Sequence, residues 1–449
     1  MIEPGVNPPH ILCINPWIHD FAAYDFWAKP LGLLGLAAIL RDHGMGVSFL
    51  DCLDRFHPRA ESPVKVLKDG RGPFIKKEIP LPQGVEEIGQ RFSRYGIEPD
   101  WFREDLKQTP PPDIIFVTSM MTYWAPGVRE TISVIKEILP QVPVILGGVY
   151  ASLCTDHAKE FSLADQVITG NAEDRLPGII FDHTGFSFTP KYNCNDLDAL
   201  PRPALDLVSK MAYAPILTSR GCPFSCSYCA SSFLEKRLRH RSPETVFQEI
   251  QHWHKAHGVK NFAFYDDALL IHPENHIIPL LEKIIDSGMT LFFHTPNAMH
   301  IRQISQEIAD MMFQAGFKTI RLGLETADFS PSRPGDHKVT GNEFSLAVDR
   351  LKQAGFVSEQ IGAYLLCALP DQLPGTVASS IMAVKEKGIQ PVLAYYTPIP
   401  HTPMWETACK TSRFDLDKNP IFTNNALLPC MDQDNAFKTI LKLKALTKK

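Results

Sequence analysis

The segment YAPILTSRGCPFSCSYC (213–229) joins an apolar run to a loop that contains three cysteines. The run predicts a buried strand, and Cys222, Cys226 and Cys229 follow it with three and then two residues between them. Thiolates at such short spacing can surround one compact metal site, either a zinc ion or an iron–sulfur cluster. A tetrahedral zinc site needs a fourth ligand, and no CxxC or HxxxH partner stands near the loop in the sequence. Three thiolates leave one iron of a four-iron cluster open to a substrate, so the spacing favours a cluster over zinc.

The C-terminal half repeats a strand followed by a helix. Apolar runs of strand length alternate with amphipathic segments, and one helix begins after Ser242-Pro243, an N-cap followed by proline at the first helical position. Six parallel βα units predict an open partial (β/α)6 TIM barrel whose active site lies at the carboxyl ends of the strands. The predicted strands are 213–220, 261–267, 290–296, 319–325, 359–370 and 391–399, and the helices include 276–287, 306–315, 343–354 and 377–387.

The N-terminal region also alternates strands and helices. DIIFVTSMM (113–121) is almost entirely apolar, as in parallel strands that are buried on both faces. Glycines and polar residues follow the strands, which is typical of an α/β, doubly wound, Rossmann-like sheet that binds ligands beyond its carboxyl ends. The other predicted strands are 11–17, 46–52, 142–148 and 166–170, and the predicted helices include 31–44 and 128–139.

A chain of 449 residues is too long for one ordinary core, so two or more domains are expected. We place the α/β domain at 1–190, the barrel at 213–400 and a C-terminal extension at 401–449. The polar, proline-containing segment 191–212 is interpreted as a linker. The stretch from about 57 to 110 is too long for a plain connection, and we interpret it as an insertion with a helix near Gly84–Arg94.

Composition and charge argue against several classes of function. The formal net charge is −5 and no long basic run is present, which gives no support to a nucleic-acid or anionic-membrane role. No segment approaches the ~20 apolar residues that cross a bilayer, and the N-terminal MIEPGVNPPH has no signal-peptide pattern. We therefore expect a cytoplasmic protein, in whose reducing environment clustered cysteines bind metal rather than form disulfides.

The CxxxCxxC loop after the first strand of a six-stranded barrel resembles the radical S-adenosylmethionine (radical SAM) superfamily. The resemblance implies that Cys222, Cys226 and Cys229 bind a 4Fe-4S cluster whose open iron is chelated by the amino and carboxylate groups of S-adenosylmethionine. One electron from the reduced cluster then cleaves the sulfonium into methionine and a 5′-deoxyadenosyl radical. The cofactor carries this chemistry, while the protein orients it and excludes water.

Further positions match the superfamily pattern. Tyr228 matches the aromatic position beside the adenine. Asp266 and Asp267, at the end of the second strand, match groups that hold the amino end of the methionine, where a carboxylate makes charge-assisted hydrogen bonds. Glu325 in LGLET (322–326) matches a polar position that reaches the ribose hydroxyls or the methionine. The alternative role for each acid is a helix N-cap or a solvated loop group.

The order of motifs along the chain resembles the cobalamin-binding radical SAM family. The matching segments include KPLGLLGLAAIL, GNAED, LPRPALDL, YDDALL and TPIPHTP. In that family the corrin lies against the carboxyl ends of the N-terminal strands, where a doubly wound sheet binds ligands. No DxHxxG motif is present, so no histidine lower ligand from that motif is expected, and His19 is interpreted as a surface residue. The implied cobalamin contacts are Asn15, Trp17, Ser119, Met120, Gly147, Gly148, Tyr150, Gly170 and Glu173.

These features predict a cobalamin-dependent radical SAM methyltransferase that acts on an unactivated carbon of a small molecule or peptide, with an electron donor such as flavodoxin or ferredoxin. Cyclases and ring-rearranging enzymes share the motifs and stay open as alternatives. A methylthiotransferase would need a second cluster, for which Cys13, Cys52 and Cys154 are the candidates. A non-catalytic corrinoid or SAM-binding module is the rival from a different class, although a pure binder has no need of a vacant iron.

Other side chains near the predicted barrel mouth are candidates for the substrate pocket. They are Tyr265, His294 and Tyr396. Cys367 also falls near the mouth, where a thiol could quench or relay a radical. The remaining cysteines are scattered, and their default role is that of small buried apolar side chains.

Overall fold

The computed structural model describes residues 7–60, 65–330, 339–432 and 435–448. It contains two compact units. The first comprises the chain up to Ala212 together with Asn419–Ile421, and the second comprises Tyr213–Lys418 and the chain from Phe422 onward.

The first unit contains a five-stranded, wholly parallel sheet. Its strands are β1 (His10–Asn15), β2 (Ile18–Asp20), β3 (Gly46–Asp51), β4 (Lys76–Ile79), β5 (Phe92–Tyr95), β6 (Ile114–Val117), β7 (Val144–Leu146) and β8 (Gln166–Val167). Its helices are α1 (Leu31–Asp42), α2 (Pro99–Gln108), α3 (Ala125–Ile138), α4 (Val149–Leu153), α5 (Thr155–Phe161) and α6 (Leu176–Thr184). The parallel sheet has the order β3-β1-β6-β7-β8. Counted along the strands of this sheet, the order is the doubly wound 2-1-3-4-5.

Each face of this sheet buries its own apolar cluster, because successive side chains of a strand point to opposite sides. Leu12 and Ile14 belong to one cluster, and Ile11 and Cys13 belong to the other. All four side chains lack exposed surface. Full burial of each leucine or isoleucine contributes about 1.5–3 kcal/mol, so the apolar sequence of β1 favours a strand covered on both faces.

The predicted helix near Gly84–Arg94 is wrong. The structure has a single 3-10 turn at Glu86–Ile88, and β5 follows it and pairs with β2 and β4 in an antiparallel sheet. Glycine at 84 and 89 adopts left-handed backbone conformations, with φ of +89° and +66°, which interrupts a helix. The helix of this stretch is α2, which begins at proline in its first turn.

The segment interpreted as a linker, 191–212, packs on the first unit. Ala204 is buried in the cluster that contains Cys13, and its N–H donates to the carbonyl of Leu34 in α1. Arg41 of α1 forms an ion pair with Asp206 at 2.6 Å.

The second unit is built around six parallel strands in sequential order. Its strands are β9 (Ala214–Ile216), β10 (Ser219–Arg220), β11 (Arg239–His240), β12 (Asn261–Phe264), β13 (Phe292–His294), β14 (Phe317–Glu325), β15 (Ile361–Cys367) and β16 (Gln390–Tyr395). Its helices are α7 (Ser231–Leu234), α8 (Pro243–His257), α9 (Ile277–Asp286), α10 (Gln306–Ala315), α11 (Gly341–Gln353), α12 (Pro374–Glu386), α13 (Trp405–Thr411) and α14 (Ala436–Thr447).

The sheet order β9-β12-β13-β14-β15-β16 is that of successive βα units. Helix α8 begins as predicted, since the Ser242 side chain accepts a hydrogen bond from the N–H of Thr245. The α/β fold class with a doubly wound unit and a partial barrel is confirmed. Among the described residues, no helix combines the length and apolar character that a membrane crossing needs.

Candidate active site

The three predicted cluster ligands lie in one loop, residues 221–229, which we call the cysteine loop. It follows β9 at the carboxyl edge of the barrel sheet, where barrel enzymes place their chemistry. Its base is closed by the antiparallel pair β10–β11. Gly221 has φ of +89°, and a Cβ there would lie 2.6 Å from the carbonyl oxygen of Arg237. Only glycine allows this exit from the strand.

The three thiols share one electrostatic environment. Burial raises the pKa of the Cys222 thiol, a backbone hydrogen bond at Phe224 opposes this, and the charges of Asp267, Cys226 and Cys229 raise the pKa further. No group of three or more His, Cys, Asp or Glu side chains in the described part of the chain is arranged around a single ion. Ligands of a four-iron cluster need not converge on one point, because each bonds a different iron. The donor set therefore fits such a cluster.

Ser231 and His300 lie within hydrogen-bond distance of the sulfurs of the cysteine loop. The N–H of Ser231 lies 3.5 Å from Sγ of Cys229, and the hydroxyl of Ser231 lies 3.3 Å from the same sulfur. Nε2 of His300 lies 3.8 Å from Sγ of Cys222. Hydrogen bonds to sulfur ligands tune the reduction potential of an iron–sulfur cluster. Neither Ser231 nor His300 was predicted from the cysteine spacing, and His300 comes from a distant segment.

The neighbouring acids Asp266 and Asp267 have different surroundings. Asp266 is 3% exposed and accepts hydrogen bonds from the N–H and hydroxyl of Thr218, at 3.0 and 2.7 Å, and from the hydroxyl of Ser219 at 2.6 Å. Its carboxylate thus fixes the segment that leads into the cysteine loop. Asp267 instead has an exposed side chain, and it accepts a hydrogen bond from the hydroxyl of Ser231. Asp266 therefore holds the strand end before the cysteine loop, whereas Asp267 contacts Ser231, which follows the loop.

Glu325 has strained backbone geometry. It has φ of +65°, and the pairing of β14 with β15 shifts register between Gly323 and Glu325. Its Oε1 lies 3.4 Å from the position that a Cβ on Gly323 would occupy. A bulge re-aims a side chain, and left-handed strain concentrates at functional sites. Ala368 and His401, which follow β15 and β16, share this left-handed conformation.

The predicted pocket residues are largely buried. Tyr228 packs in an apolar cluster with Tyr396 and Leu366. His294 is buried and lies within hydrogen-bond distance of Thr319 and Asn261. Cys367 follows Leu366 and therefore faces the other side of β15. It pairs in register with Tyr395, whose ring lies beneath Lys444 of α14. A radical relay through Cys367 gains no support from this position.

A histidine pair lies behind the base of the cysteine loop. Nε2 of His276 lies 2.7 Å from the hydroxyl of Thr218, which also donates to Asp266. The rings of His276 and His240 stack with centroids 4.2 Å apart. Burial, and to a smaller extent the charge of His240, lower the pKa of His276 from 6.5 to about 4. His276 is therefore neutral in the folded protein at neutral pH.

Replacing His276 with glutamine is expected to flatten the acid branch of the stability profile. In the wild type, His276 binds a proton in the unfolded chain at a higher pH than in the folded chain. The free energy of unfolding therefore falls as pH drops from the unfolded pKa toward about 4. Between about pH 7.5 and about pH 5 this loss is about 2 kcal/mol. H276Q keeps a hydrogen-bonding group for Thr218 but cannot be charged. Urea unfolding at both pH values measures the difference, with the exposed His257→Gln as control; equal losses in H276Q and wild type would contradict it.

The carboxyl edge of the parallel sheet in the first unit offers a shallow platform. In the 2-1-3-4-5 order a ligand binds where β1 and β6 diverge. Met120 follows β6 and is 39% exposed, although methionine is apolar. A Cβ on Gly147 would meet only the carbonyl of Ile168, at 3.9 Å, and a Cβ on Gly170 would meet nothing within 4 Å. The open space above these glycines suits a large flat ligand such as a corrin.

Four other predicted cobalamin residues contact neighbouring groups of the protein at this edge rather than open space. Trp17 and Tyr150 have no exposed surface. The Trp17 indole donates to the carbonyl of Ile97, and the Tyr150 hydroxyl lies 2.7 Å from His157. Direct contact with a corrin is therefore wrong for both. Ser119 donates its hydroxyl to the carbonyl of Gly147, and Gly148 approaches the Ser119 backbone rather than open space.

The remaining predicted contacts lie at the ends of their strands. The amide of Asn15 donates to Asp51 at 2.7 Å, and Lys29 lies 3.3 Å from the same carboxylate. Glu173 is half-buried in the loop after Gly170. Lys29 opens the KPLGLLGLAAIL segment and Asp51 lies in the predicted strand 46–52, but neither was predicted as a site residue, because only the fold brings them to Asn15.

His19 is not a surface residue, contrary to the interpretation from sequence. It is 8% exposed, and its Nε2 lies 2.6 Å from Glu130, which also pairs with Arg94. Nε2 of His19 is therefore engaged by the Glu130 carboxylate.

The cysteines considered for a second cluster are separated. Cys13 and Cys52 belong to the apolar clusters on opposite faces of the sheet, and Cys154 packs with the cluster that holds Cys52. Burial raises the pKa of the Cys13 thiol to about 12. Cys13 therefore cannot share a metal with the other two thiols.

Comparison with known proteins gives a match for each unit. The Radical SAM superfamily matches residues 216–377, and the B12 binding domain matches residues 92–180. An uncharacterized methyltransferase of Pyrococcus horikoshii is 25% identical over 66% of this chain and 69% of its own length. The anaerobic magnesium-protoporphyrin IX monomethyl ester cyclase of Rubrivivax gelatinosus is 24% identical over 75% of this chain and 64% of its own length.

A solved structure shares the fold over most of the chain. The radical SAM methyltransferase TsrM from Kitasatospora setae superposes with a TM-score of 0.63 at 16% sequence identity, over 90% of this chain and 77% of its own. The chain spans less than two thirds of some relatives, such as 56% of the hopanoid C-2 methylase of Rhodopseudomonas palustris, which is 26% identical over 64% of this chain.

A chain that joins these two domains is a radical SAM enzyme of the cobalamin-dependent kind. It combines the two domains that the order of its motifs predicts for the cobalamin-binding radical SAM family. The radical SAM domain and the B12 binding domain imply the predicted cofactor set of S-adenosylmethionine, a 4Fe-4S cluster and cobalamin.

Proposed function

We propose that this chain cleaves S-adenosylmethionine reductively and transfers a methyl group, by way of cobalamin, to an unactivated carbon. The observation that carries the proposal is the cysteine loop, which places three thiols within nine residues at the carboxyl edge of a parallel barrel sheet. When bound, the cluster supplies the electron that breaks the sulfonium into methionine and a 5′-deoxyadenosyl radical, and cobalamin carries the methyl group.

The residues of the second unit have distinct roles in this proposal. Cys222, Cys226 and Cys229 hold the cluster. Asp267, in contact with Ser231 beside Cys229, binds the ammonium of the methionine moiety through charge-assisted hydrogen bonds. Glu325, turned by the bulge over Gly323, binds the ribose hydroxyls, and Tyr228 covers the adenine.

Asp266 acts as a positioning residue in the same proposal. Its three hydrogen bonds to Thr218 and Ser219 occupy the carboxylate and hold the base of the cysteine loop. The desolvation cost of a buried carboxylate is offset because its oxygens are hydrogen-bonded.

The corrin contacts are drawn from the platform on the first unit. Met120 supplies an apolar surface, and the missing side chains of Gly147 and Gly170 let a flat ring approach the backbone. Glu173 and Asn15 supply polar groups at the rim. Ser119 and Gly148 set the shape of the edge without touching the ligand.

The substrate is proposed to be a small molecule or peptide, with a flavodoxin or ferredoxin as electron donor and the cytoplasm as location. A second candidate function is a cobalamin-dependent cyclisation or rearrangement. It is favoured by one observation, the similarity over 75% of this chain to a relative named a cyclase.

The test uses the full chain reconstituted anaerobically with iron, sulfide and cobalamin. After reduction, chromatography is expected to show conversion of S-adenosylmethionine to 5′-deoxyadenosine and methionine, and S-adenosylhomocysteine as the product of methyl transfer. Absence of 5′-deoxyadenosine from a chain that carries a full cluster would favour the non-catalytic binding module. Formation of 5′-deoxyadenosine without S-adenosylhomocysteine would favour the cyclase.

A further inference from the structure

The segment His401–Trp405 follows β16 after a short connection and contacts the cysteine loop, and we call it the clasp. The N–H of Met404 donates to the carbonyl of Ser227 at 2.9 Å. Ser227 lies between Cys226 and Cys229, so this hydrogen bond holds the loop backbone between two cluster ligands.

A ring stack joins the clasp to the other end of the loop. The rings of His401 and Phe233 lie with centroids 4.1 Å apart and planes 2° from parallel. Phe233 belongs to α7, whose first residue Ser231 contacts the sulfur of Cys229. Both rings lie at the surface, Phe233 being 42% exposed, so neither is placed there by the need to bury a core side chain.

The backbone of the clasp is held in a costly conformation. His401 has φ of +65°, in the left-handed region that favours glycine. The turn is fixed by the Thr402 hydroxyl, which donates to the carbonyl of Ile399 at 2.7 Å, and by the N–H of Trp405, which donates to the carbonyl of Thr402 at 3.0 Å. The left-handed backbone at His401 fixes the direction of its ring, which stacks on Phe233.

Apolar packing completes the attachment. Tyr228 of the cysteine loop belongs to the same apolar cluster as Met404, Trp405 and Tyr396. The clasp therefore meets the loop at three places: a backbone carbonyl, the aromatic side chain before Cys229, and the helix that follows.

We propose that the clasp positions the cysteine loop around its cluster, with His401 and Phe233 as positioning residues. The inference rests on the proposed function, because it assigns these residues to the retention of the cluster. With the stack removed, the segment after Cys229 is held on one side only. The loop then opens more often, and iron is lost to solvent sooner.

The test measures how fast a chelator removes iron from the reconstituted full chain. His401→Asn removes the ring but suits the left-handed backbone, and Phe233→Leu removes the opposite ring. Both variants are expected to lose iron about two- to tenfold faster than the wild type, the range that an aromatic pair supports. Phe233→Tyr keeps a stacking ring without changing the left-handed residue and is expected to keep the wild-type rate to within about twofold. The exposed Phe181→Leu, in the first unit, is the matched control.

Electron paramagnetic resonance of the reduced cluster separates positioning from general stability. In H401N and F233L the signal recorded after addition of S-adenosylmethionine is expected to be broader than in the wild type. The melting temperature is expected to stay close to that of the wild type. Wild-type iron loss and an unchanged signal in both variants would overturn the proposal. The two variants approach the stack from opposite sides, so misfolding of one leaves the other decisive. A wild-type chain that takes up no cluster would instead refute the proposed function.

Discussion

Replacing Cys222, Cys226 or Cys229 with alanine is expected to abolish the 4Fe-4S cluster and, with it, cleavage of S-adenosylmethionine. Each thiolate bonds a different iron, so none of the three can stand in for another. Cys226 is 7% exposed, which leaves little access for a water ligand. Iron and sulfide per chain, visible absorption and 5′-deoxyadenosine formation should all fall to the limit of detection in each variant.

Cys367→Ala is the matched control for this series. Cys367 is a buried thiol at the end of a neighbouring barrel strand, but it faces the same side of the sheet as Tyr395, whose ring lies beneath Lys444 of α14. The control variant is expected to keep its cluster and its wild-type rate of cleavage. Four irons and S-adenosylmethionine cleavage in any of the three loop variants would contradict the assignment of ligands. Slower cleavage in C367A alone would restore the idea of a radical relay.

The cysteine loop can be predicted from local sequence because all three predicted cluster ligands lie within nine residues. The spacing of the thiols and the apolar run before them need no knowledge of the rest of the chain. The same holds for the helix after Ser242, whose cap and first-turn proline are neighbours. Alternating strands and helices likewise predict both α/β units, because hydrophobic period is a local signal.

The roles of adjacent acids could not be read from sequence. Asp266 and Asp267 stand side by side, yet the first is occupied by Thr218, which lies 48 residues earlier in the chain. Only the parallel pairing of β9 with β12 brings them together. Which carboxylate turns toward the strand end is decided by this tertiary contact.

The same limit explains the errors on the corrin platform. Trp17 and Tyr150 follow strand ends as the predicted contacts should, but Trp17 packs edge-to-face on Phe102 of α2 and Tyr150 lies against His157. These partners come from helices whose packing the sequence does not specify. The clasp was missed for a similar reason, since Phe233 and His401 belong to segments at opposite ends of the barrel sequence.

Two neighbouring glycines on the platform are expected to respond in opposite ways to alanine. Gly148 has φ of +99°, and a Cβ there would lie 2.2 Å from the carbonyl oxygen of Ser119. Backbone strain and overpacking together predict that G148A lowers the free energy of unfolding by about 2 to 5 kcal/mol. Gly147 meets only one atom, at 3.9 Å, so G147A should change stability by about 0.5 kcal/mol or less.

For cobalamin affinity we expect the reverse order: among variants that fold, G147A should weaken binding more than G148A. If a corrin lies on the backbone at Gly147, an added methyl group forces it away, and the dissociation constant should rise roughly tenfold. Urea unfolding and a spectroscopic titration with cobalamin measure the two effects separately. Gly178→Ala, at an open position in α6, is the control for both. Wild-type affinity in G147A would place the corrin elsewhere. Wild-type stability in G148A would mean that the loop after β6 can move aside. The close approach of the two backbones argues against such a movement.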